Sequence, residues 1–328
     1  MPSTRDIRRR IKSVGNTKKI TKAMEMVSAS KMRKAIEAVL KTRTYANLSW
    51  ETVLHLSQMA NGNGNGGSEA SHPLLAKRKD LKKVGIVLIT SNRGLCGGFN
   101  TNIVNKVHES IKKFHFIGEE KAVEPEIILI GSRGKAIARY YGYKLGAEFS
   151  KEDFVTEVKE VIPMSKFIID EYLAGNYDKV MVGYTDFVNP ARQVPRVKQL
   201  LPVEITADDE YLGVVGADSR LGIDKKFMEE KKAKHLKTEE FLYEYIFEPS
   251  PREVLDEMVP RLVEAQLFQA LLESNASEHS ARMAAMHQAT EAAGDMISEL
   301  TLFYNKARQA GITREIAEIS AGANALAE

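Results

Sequence analysis

The positions of proline most constrain how this chain can fold. Its ten prolines leave residues 3–72 and 261–328 without any. Because a proline inside a helix removes a backbone donor and clashes with the preceding turn, proline-free ends leave room for unusually long helices. As a single helix, the second stretch would extend about 100 Å, at 1.5 Å per residue, which no small globular domain matches. The sequence therefore predicts two long terminal helices that flank a compact middle.

Apolar residues near the carboxyl end repeat with the spacing of a left-handed coiled coil. They step alternately by three and four positions, which places them on one side of a helix. This stripe consists of Met283, Met286, Thr290, Ala293, Ile297, Leu300, Tyr304 and Ala307. At Gly311 the stripe shifts by one position, and it continues with Ile312, Ile316, Ile319, Ala323 and Leu326. We therefore expect a seam that packs against a second helix.

The amino end carries three shorter heptad fragments. They consist of Ile7, Ile11 and Val14, then Ile20, Met24 and Val27, and finally Met32, Ile36 and Val39. The register slips between fragments, so we expect an imperfect seam that pairs antiparallel with the 283–307 stripe. The alternative is two separate amphipathic helices packed on a globular core. Length argues against this alternative, because ordinary helices run about 8–20 residues.

Positive charge is concentrated at the amino end. The whole chain has a net charge of +3, yet residues 1–45 hold thirteen Lys and Arg residues against three acidic ones, a local charge of +10. A basic helix of this kind fits a solvated face, a nucleic-acid grip or a surface matched to an acidic protein partner. The first aromatic residue is Tyr45, which disfavours stacking on single-stranded bases, whereas major-groove binding stays open.

Composition limits the protein classes to consider. Hydrophobic residues make up 43% of the 328 residues, and no run of 18 apolar residues exists that could span a bilayer. The basic, amphipathic start resembles a mitochondrial presequence, but the heptad fragments run through it, which argues against a removable leader. The single cysteine, Cys96, leaves no partner for an internal disulfide and fits a reducing compartment.

The middle of the chain alternates short apolar runs with amphipathic segments. A turn-rich linker at residues 61–73 precedes this part. We expect strands at residues 84–90, 126–130 and 179–185 and helices at residues 101–114, 132–141 and 164–173. This alternation predicts a parallel sheet covered by helices. Residues 193–204 and 241–247 are expected to form extended edge structure, with a charged, solvated loop or exposed helix at 207–240.

The sequence offers no catalytic constellation. The loop SNRGLCGGFN at residues 91–100 follows a predicted strand, but neither it nor residues 131–135 has the spacing of a phosphate-binding loop. A tight structural turn is the preferred interpretation, with Cys96 as a small turn residue rather than a nucleophile. The histidine pairs 108/115 and 279/287 lack the cysteines or clustered carboxylates of a metal site.

Four segments resemble the γ subunit of F-type ATP synthases. They are KITKAMEMVSASKMRKA at 19–35, SNRGLCGGFN at 91–100, ASEHSARMAAMHQAT at 276–290 and LFYNKARQAGITREIAEISAGANA at 302–325. The resemblance covers essentially the whole chain and is most specific at its two ends. The charged residues 207–240 form a longer insertion than this family leads us to expect.

The resemblance implies an architecture and a mechanism. Its fold class is α/β, with a long antiparallel coiled coil of the two terminal helices and a central Rossmann-like α/β domain. The implied domains are residues 1–60, 61–250 and 251–328. In this family the helices turn inside a ring of α and β subunits, and the central domain contacts the ε subunit and the membrane c-ring. Rotation of the c-ring drives the catalytic β subunits through different conformations.

The resemblance also implies where partners bind. By the family pattern, Lys19, Lys22 and Met24 face an acidic loop of the β subunit, and Arg308 and Gln309 form a polar catch for β, with Thr313 and Glu315 in the same patch. It implies no catalytic residue, cofactor, metal or nucleic acid, and a place at the cytoplasmic face of a bacterial cell membrane. A basic coiled-coil nucleic-acid binder is a distant second hypothesis, and a phosphate-binding enzyme a third.

Overall fold

The computed structural model describes residues 3–62, 72–76, 78, 81–117, 124–151, 157–203, 248 and 250–327. The expected insertion at 207–240, the extended structure at 241–247 and most of the linker at 61–73 lie outside these residues. The described chain divides into two compact units. Unit 1 comprises Met1–Ala29 and Arg282–Glu328, and unit 2 comprises Ser30–Ala281.

Both predicted terminal helices are present. Helix α1 spans Thr4–Gly62, and the last helix, α5, spans Pro251–Ala327. Each starts with a serine whose hydroxyl oxygen accepts a bond from the amide three residues later, Ser3 from Asp6 at 3.2 Å and Ser250 from Glu253 at 3.3 Å. Both serine hydroxyls also donate to the carboxylate of that same residue. These reciprocal caps satisfy amides that would otherwise lack a partner at each helix start.

Helix α5 begins ten residues before the proline-free stretch. Pro251 occupies its first position, where a missing amide hydrogen is harmless, but Pro260 lies inside the helix. An internal proline removes one backbone hydrogen bond. Its neighbours Val259, Leu262 and Val263 are at most 1% exposed. Their burial offsets the lost bond, because each fully buried apolar side chain contributes about 1.5–3 kcal/mol.

Unit 2 contains a five-stranded sheet. Its first four strands in space are parallel, and the last, an edge strand, is antiparallel to its neighbour. The strands are β1 (Lys83–Ile89), β2 (Glu124–Ile130), β3 (Lys144–Phe149), β4 (Lys179–Asn189) and β5 (Arg192–Leu201), in the spatial order β3-β2-β1-β4-β5. The shorter helices are α2 (Phe99–Ile117), α3 (Gly134–Tyr140) and α4 (Ile162–Leu173), with a 3-10 turn at Val158–Glu160.

Apolar residues fill both faces of this sheet. One face packs Val87, Ile128 and Val182 against α4 and the first half of α5. The other face packs Ile86, Leu129 and Met181 against α2. Parallel strands buried on both faces carry continuous apolar runs, which is why the sequence revealed them. The predicted parallel sheet covered by helices is confirmed.

The loop at residues 91–100 is a closed turn. The Asn100 side-chain amide donates to the Ser91 hydroxyl at 2.7 Å, and the Ser91 backbone amide donates back to the Asn100 carbonyl at 2.9 Å. Leu95 and Gly97 both have positive φ angles, 64° and 55°. Cys96 is buried within this turn. The bonds between Ser91 and Asn100 hold the loop in a closed conformation, in agreement with the predicted tight turn.

In unit 1 the two helices pair antiparallel. Thr290 donates its hydroxyl hydrogen to the Thr21 hydroxyl at 2.8 Å, and His287 Nδ1 lies 3.4 Å from Glu25 Oε1. A step forward along α1 thus corresponds to a step backward along α5. The predicted antiparallel pairing of the 283–307 stripe with the region around residues 20–27 is confirmed.

The 283–307 stripe forms the inner side of α5. All eight of its residues are buried or half-buried, and Met286 and Ala293 are the most enclosed, at 4% and 7% exposed. The continuation of the stripe at Ile312, Ile316 and Ile319 is instead exposed. The helix register explains this change. It places the first residue of α1, Thr4, opposite the vicinity of Ala307, so α1 has no residue that could face the later part of α5.

The predicted middle fragment of the α1 seam is wrong. Ile20 and Val27 are 60% and 56% exposed, whereas Thr21 and Ser28 are buried. Together with Ile7, Ile11 and Val14 these residues follow one heptad register, with steps of four, three, seven and seven, so no register slip occurs over this stretch. The hydroxyl oxygens of Thr21 and Thr290 approach to 2.8 Å, which leaves no room for a larger side chain at this point of the seam. The small polar residues Thr21 and Ser28 thus take the seam positions that the prediction gave to Ile20 and Val27.

Candidate partner-binding surface

A belt of positive charge covers the α1 side of unit 1. Its exposed cations are Arg5, Arg8, Arg9, Arg10, Lys12, Lys18, Lys19 and Lys22. The acidic residues of α1 in this unit are Asp6, which bonds to the helix cap, and Glu25, whose side chain is 15% exposed. A surface with this imbalance attracts anionic partners and repels cationic ones.

An open groove of about 600 Å³ lies between the two helices. Lys18, Lys19, Lys22 and Met26 line it from α1, and His287 and Glu291 line it from α5. The side of the groove formed by α1 is therefore cationic, with one exposed methionine between the charges. This combination suits a partner that offers carboxylates beside an apolar side chain.

Ion pairs organise one wall of this groove. Lys22 Nζ contacts Glu25 Oε1 at 2.9 Å, and Glu25 also faces His287. The hydrogen bond from Lys22 lowers the pKa of the Glu25 carboxyl, and the His287 ring lowers it further. Glu25 therefore stays ionised and fixes both neighbours. Lys22 is 52% exposed, which leaves its ammonium accessible to a second acceptor.

The carboxyl-terminal part of α5 presents a different surface. Beyond Ala307 it is one helix with an apolar stripe that includes Ile312, Ile316 and Ile319, which are 49%, 62% and 73% exposed. Solvent-exposed Arg308, Gln309 and Glu315 stand beside this stripe. A row of exposed isoleucines rimmed by polar groups is typical of a protein interaction site.

The comparisons with known proteins agree over the whole chain. A family model described as ATP synthase matches residues 3–326. A relative from Pelotomaculum thermopropionicum, described as ATP synthase gamma chain, is 42% identical over 329 residues and covers 99% of this chain and 100% of its own. A second gamma chain, from Legionella pneumophila strain Corby, is 36% identical over 326 residues, with the same coverage.

The chain belongs to the ATP synthase gamma-chain family. It is thus a subunit of an ATP synthase complex.

Two solved structures share the fold of this gamma chain. A chain of the Euglena gracilis mitochondrial ATP synthase rotor aligns with a TM-score of 0.56 at 17% identity, over 94% of this chain and 98% of its own. A chain of the Tetrahymena thermophila mitochondrial ATP synthase central stalk and c-ring aligns with a TM-score of 0.55 at 22% identity, over 82% and 99%. At these identities the likeness concerns the fold alone.

The structure separates the seven predicted partner-contact residues of this gamma chain into two groups. Lys19 and Lys22 line the groove, while the adjacent Met24 is half-buried and does not line it. Arg308, Gln309, Thr313 and Glu315 are all exposed at the carboxyl-terminal part of α5. Arg308 lies 18 residues beyond Thr290, roughly 27 Å along the helix at about 1.5 Å per residue. The two groups therefore form two separate surfaces.

Sequence reasoning missed the polar residues that join the helices. Thr21, Glu25 and His287 lie in or beside the seam, but a search for large apolar residues passes over them. The spacing itself held the signal, since positions 7, 11, 14, 21 and 28 of α1 follow one heptad register regardless of residue size.

Across the described part of the chain, no helix has the length and apolar character needed to cross a membrane. In the same residues, no group of three His, Cys, Asp or Glu side chains is placed to hold a metal ion.

Proposed function

We propose that this gamma chain is the central-stalk rotor of a proton-translocating ATP synthase. In this proposal it couples rotation of the membrane c-ring to conformational cycling of the catalytic β subunits and performs no chemistry itself. Its partners are the α and β subunits, the ε subunit and the c-ring, and nucleic acid is not among them. The protein would lie peripherally at the cytoplasmic face of a bacterial cell membrane, with the terminal helices as the coiled-coil shaft.

One observation carries this proposal. Unit 1 buries the small polar side chains Thr21 and Ser28 in its seam while it exposes several large apolar ones, among them Ile20, Val27, Phe303 and Ile316. A pair of helices that folded only for itself would place these residues inside, because each buried large apolar side chain contributes about 1.5–3 kcal/mol. Exposed apolar residues around the helix pair suit an interface with surrounding partner subunits. Because apolar contacts are non-directional, the helix pair could rotate within that interface.

The groove is proposed to contact β. Lys19 and Lys22 supply exposed cations there, and Met24, half-buried in the same turn, supports their position. Such contacts are charge-assisted, so they depend on salt and on acidic residues of the partner.

The polar patch at the carboxyl-terminal part of α5 is proposed to be the catch for β. Arg308 and Gln309 point their polar groups to solvent, and Thr313 donates its hydroxyl hydrogen to the Gln309 carbonyl at 2.9 Å. Glu315, two residues beyond Thr313, is also exposed. A charge-assisted bond from Arg308 to a carboxylate of β contributes about 1.5–3 kcal/mol, enough to bias one β conformation over another by roughly tenfold.

Co-purification is the direct test. A tagged chain expressed with the other subunits should bring down α, β, ε and the c-ring. Recovery of DNA or RNA instead would favour the nucleic-acid hypothesis, and recovery of neither would leave the rotor proposal without support. Nucleotide hydrolysis by the purified chain alone, after removal of contaminating α and β, would contradict the non-catalytic role.

Two variants test the proposed contacts in the reconstituted complex. Lys19→Glu/Lys22→Glu should reduce the protons pumped per ATP hydrolysed, because it places like charges against an acidic loop. Single reversals should have small effects, since exposed pairs contribute only about 0–1 kcal/mol. Arg308→Ala/Gln309→Ala should lower ATP turnover while the helix content of the chain stays unchanged. Lys166→Glu, an exposed charge reversal on α4 and outside unit 1, is the control.

A further inference from the structure

A short polar stretch of α5 is buried inside unit 2. Ser277, Glu278 and Ser280 are 0%, 5% and 0% exposed. They follow the apolar part of the helix that packs on the sheet, from Val259 to Leu272. Buried polar side chains require hydrogen-bond partners, because each unpaired one costs about 1–3 kcal/mol. Their partners come from β4, from the turn after it, from β5 and from the end of β3.

The two serines bind the end of β4 and the turn after it. The Ser277 hydroxyl donates to the Thr185 carbonyl at 3.0 Å, and the Ser280 hydroxyl donates to the Pro190 carbonyl at 2.7 Å. The Gln193 amide, at the start of β5, donates to the Ser280 hydroxyl oxygen at 3.2 Å. One turn of α5 is thus hydrogen-bonded to β4, to the turn after it and to the Gln193 side chain of β5.

A buried ion pair completes these contacts at the end of β3, the strand at the opposite edge of the sheet from β5. Lys151 Nζ lies 2.6 Å from Glu278 Oε2, and the two side chains are 2% and 7% exposed. Lys151 follows the end of β3, and its carbonyl accepts a hydrogen bond from the Asn92 side chain in the loop after β1. Together, Lys151, Gln193, Ser277, Glu278 and Ser280 form what we call the polar clamp.

The clamp differs in kind from the apolar packing beside it. Apolar burial holds a helix against a sheet, but its driving force is non-directional and does not by itself select one rotational setting of the helix. Hydrogen bonds and close ion pairs depend on direction, and several of them around one turn allow a single rotational setting. A buried ion pair is weak evidence for stability, because removal of two charges from water offsets much of their attraction. Fixing a register is its best-attested use.

We infer that the polar clamp fixes the rotational setting of α5 on the sheet, so that a twist applied to the sheet is carried along the helix. This inference rests on the proposed rotor function. The clamp residues act as positioning residues and contact no reacting group.

The main test replaces the ion pair with apolar side chains. In the assembled complex, Lys151→Met/Glu278→Leu should retain the thermal stability of the chain yet lower the protons pumped per ATP hydrolysed by about twofold or more, because the pair sets register rather than stability. Lys135→Met/Glu148→Leu is the matched control, since that Lys–Glu pair is 39% and 41% exposed and joins α3 to β3 without involving α5. Unchanged pumping in a stable Lys151→Met/Glu278→Leu complex would overturn the inference.

A second variant tests the inference independently if the first does not fold. Ser277→Ala/Ser280→Ala removes two directional bonds with little change in volume, and it should also reduce pumping per ATP while subunit assembly stays normal. Equal pumping to wild type would again overturn the inference. Failure of the wild-type chain to assemble with α, β and the c-ring would instead contradict the proposed function, so the two failures are distinguishable.

Discussion

The two units of this protein differ in how fully they enclose their large apolar side chains. In unit 2, Val87, Ile128 and Val182 are fully buried between sheet and helices. In unit 1, Thr21 and Ser28 are buried while Ile20, Val27 and Ile316 are exposed. Unit 2 therefore satisfies its own folding requirement internally. The exterior of unit 1 carries apolar surface that only a partner can cover, so its sequence serves an assembly as well as a fold.

The largest difference between the units should appear on truncation of apolar residues. Leu129→Ala should lower the free energy of unfolding by about 2–5 kcal/mol, because Leu129 is fully buried and the substitution leaves a cavity. Ile319→Ala should change it by less than about 0.5 kcal/mol, since this side chain is 73% exposed. Urea denaturation of the purified chain measures both. Equal losses would mean that Ile319 packs within the free chain and would contradict the stated difference between the two units.

Glycine substitutions should separate the units in sign. Gly131 has φ +94°, and an added Cβ would lie 2.3 Å from the Thr90 carbonyl oxygen, so Gly131→Ala should destabilise by about 1–2 kcal/mol or more. At Gly311 nothing lies within 4 Å of an added Cβ. Gly311→Ala should stabilise α5 by up to about 1 kcal/mol, the helix propensity difference. Melting temperatures of the two variants measure this difference in sign. A lower melting temperature for Gly311→Ala would contradict the open space around residue 311.

The smallest expected effects concern two aspartates at opposite ends of β4. Burial raises the pKa of Asp186, against the opposing effects of Arg196, Lys198 and Glu273. Burial would also raise the pKa of Asp178, but hydrogen bonds from the Lys83 and Lys82 amides and from Arg78 outweigh it, and the pKa is lowered.

The two aspartates should therefore respond to pH in opposite directions. The pKa of an aspartate in the unfolded chain is about 3.9. Asp186 contributes stability below this value, and this contribution is lost as pH rises through its raised pKa. The stability of Asp186→Asn should therefore fall less than that of the wild type between acid and neutral pH. Asp178 contributes stability above this value and loses it as pH falls, so Asp178→Asn should be less stable than wild type at pH 7 and similar to it at low pH. Melting temperatures across pH 3–8 test both, and parallel profiles would contradict these assignments.

Sequence patterns located most of the sheet because its central strands are apolar throughout. Strands β1, β2 and β4 and helices α2 and α4 were predicted within a few residues of their observed bounds. Strand β3 was missed, since its residues alternate between exposed and half-buried and include Gly146, so no apolar run marks it. An edge strand of this kind is specified by its neighbour, β2, rather than by its own composition.

Prediction of the binding surfaces reached only part of the result. The pattern correctly placed the inner side of α5, but it assigned Ile20 and Val27 to the seam because apolar residues were assumed to face inward. That assumption fails at Thr21 and Thr290, where the two helices approach closely and small polar residues meet. The clamp residues Ser277 and Glu278 could not be predicted as buried, since their burial depends on loops that follow β1, β3 and β4, far away in sequence.

The helix end that extends beyond α1 also bears on the life of the chain before assembly. A free molecule exposes Ile312, Ile316 and Ile319 on one side of an unsupported helix, and such a stripe is self-complementary in the manner of a zipper. Newly made chains at high concentration should thus associate with one another through this end. We expect this self-association to decrease when partner subunits that cover the stripe are present.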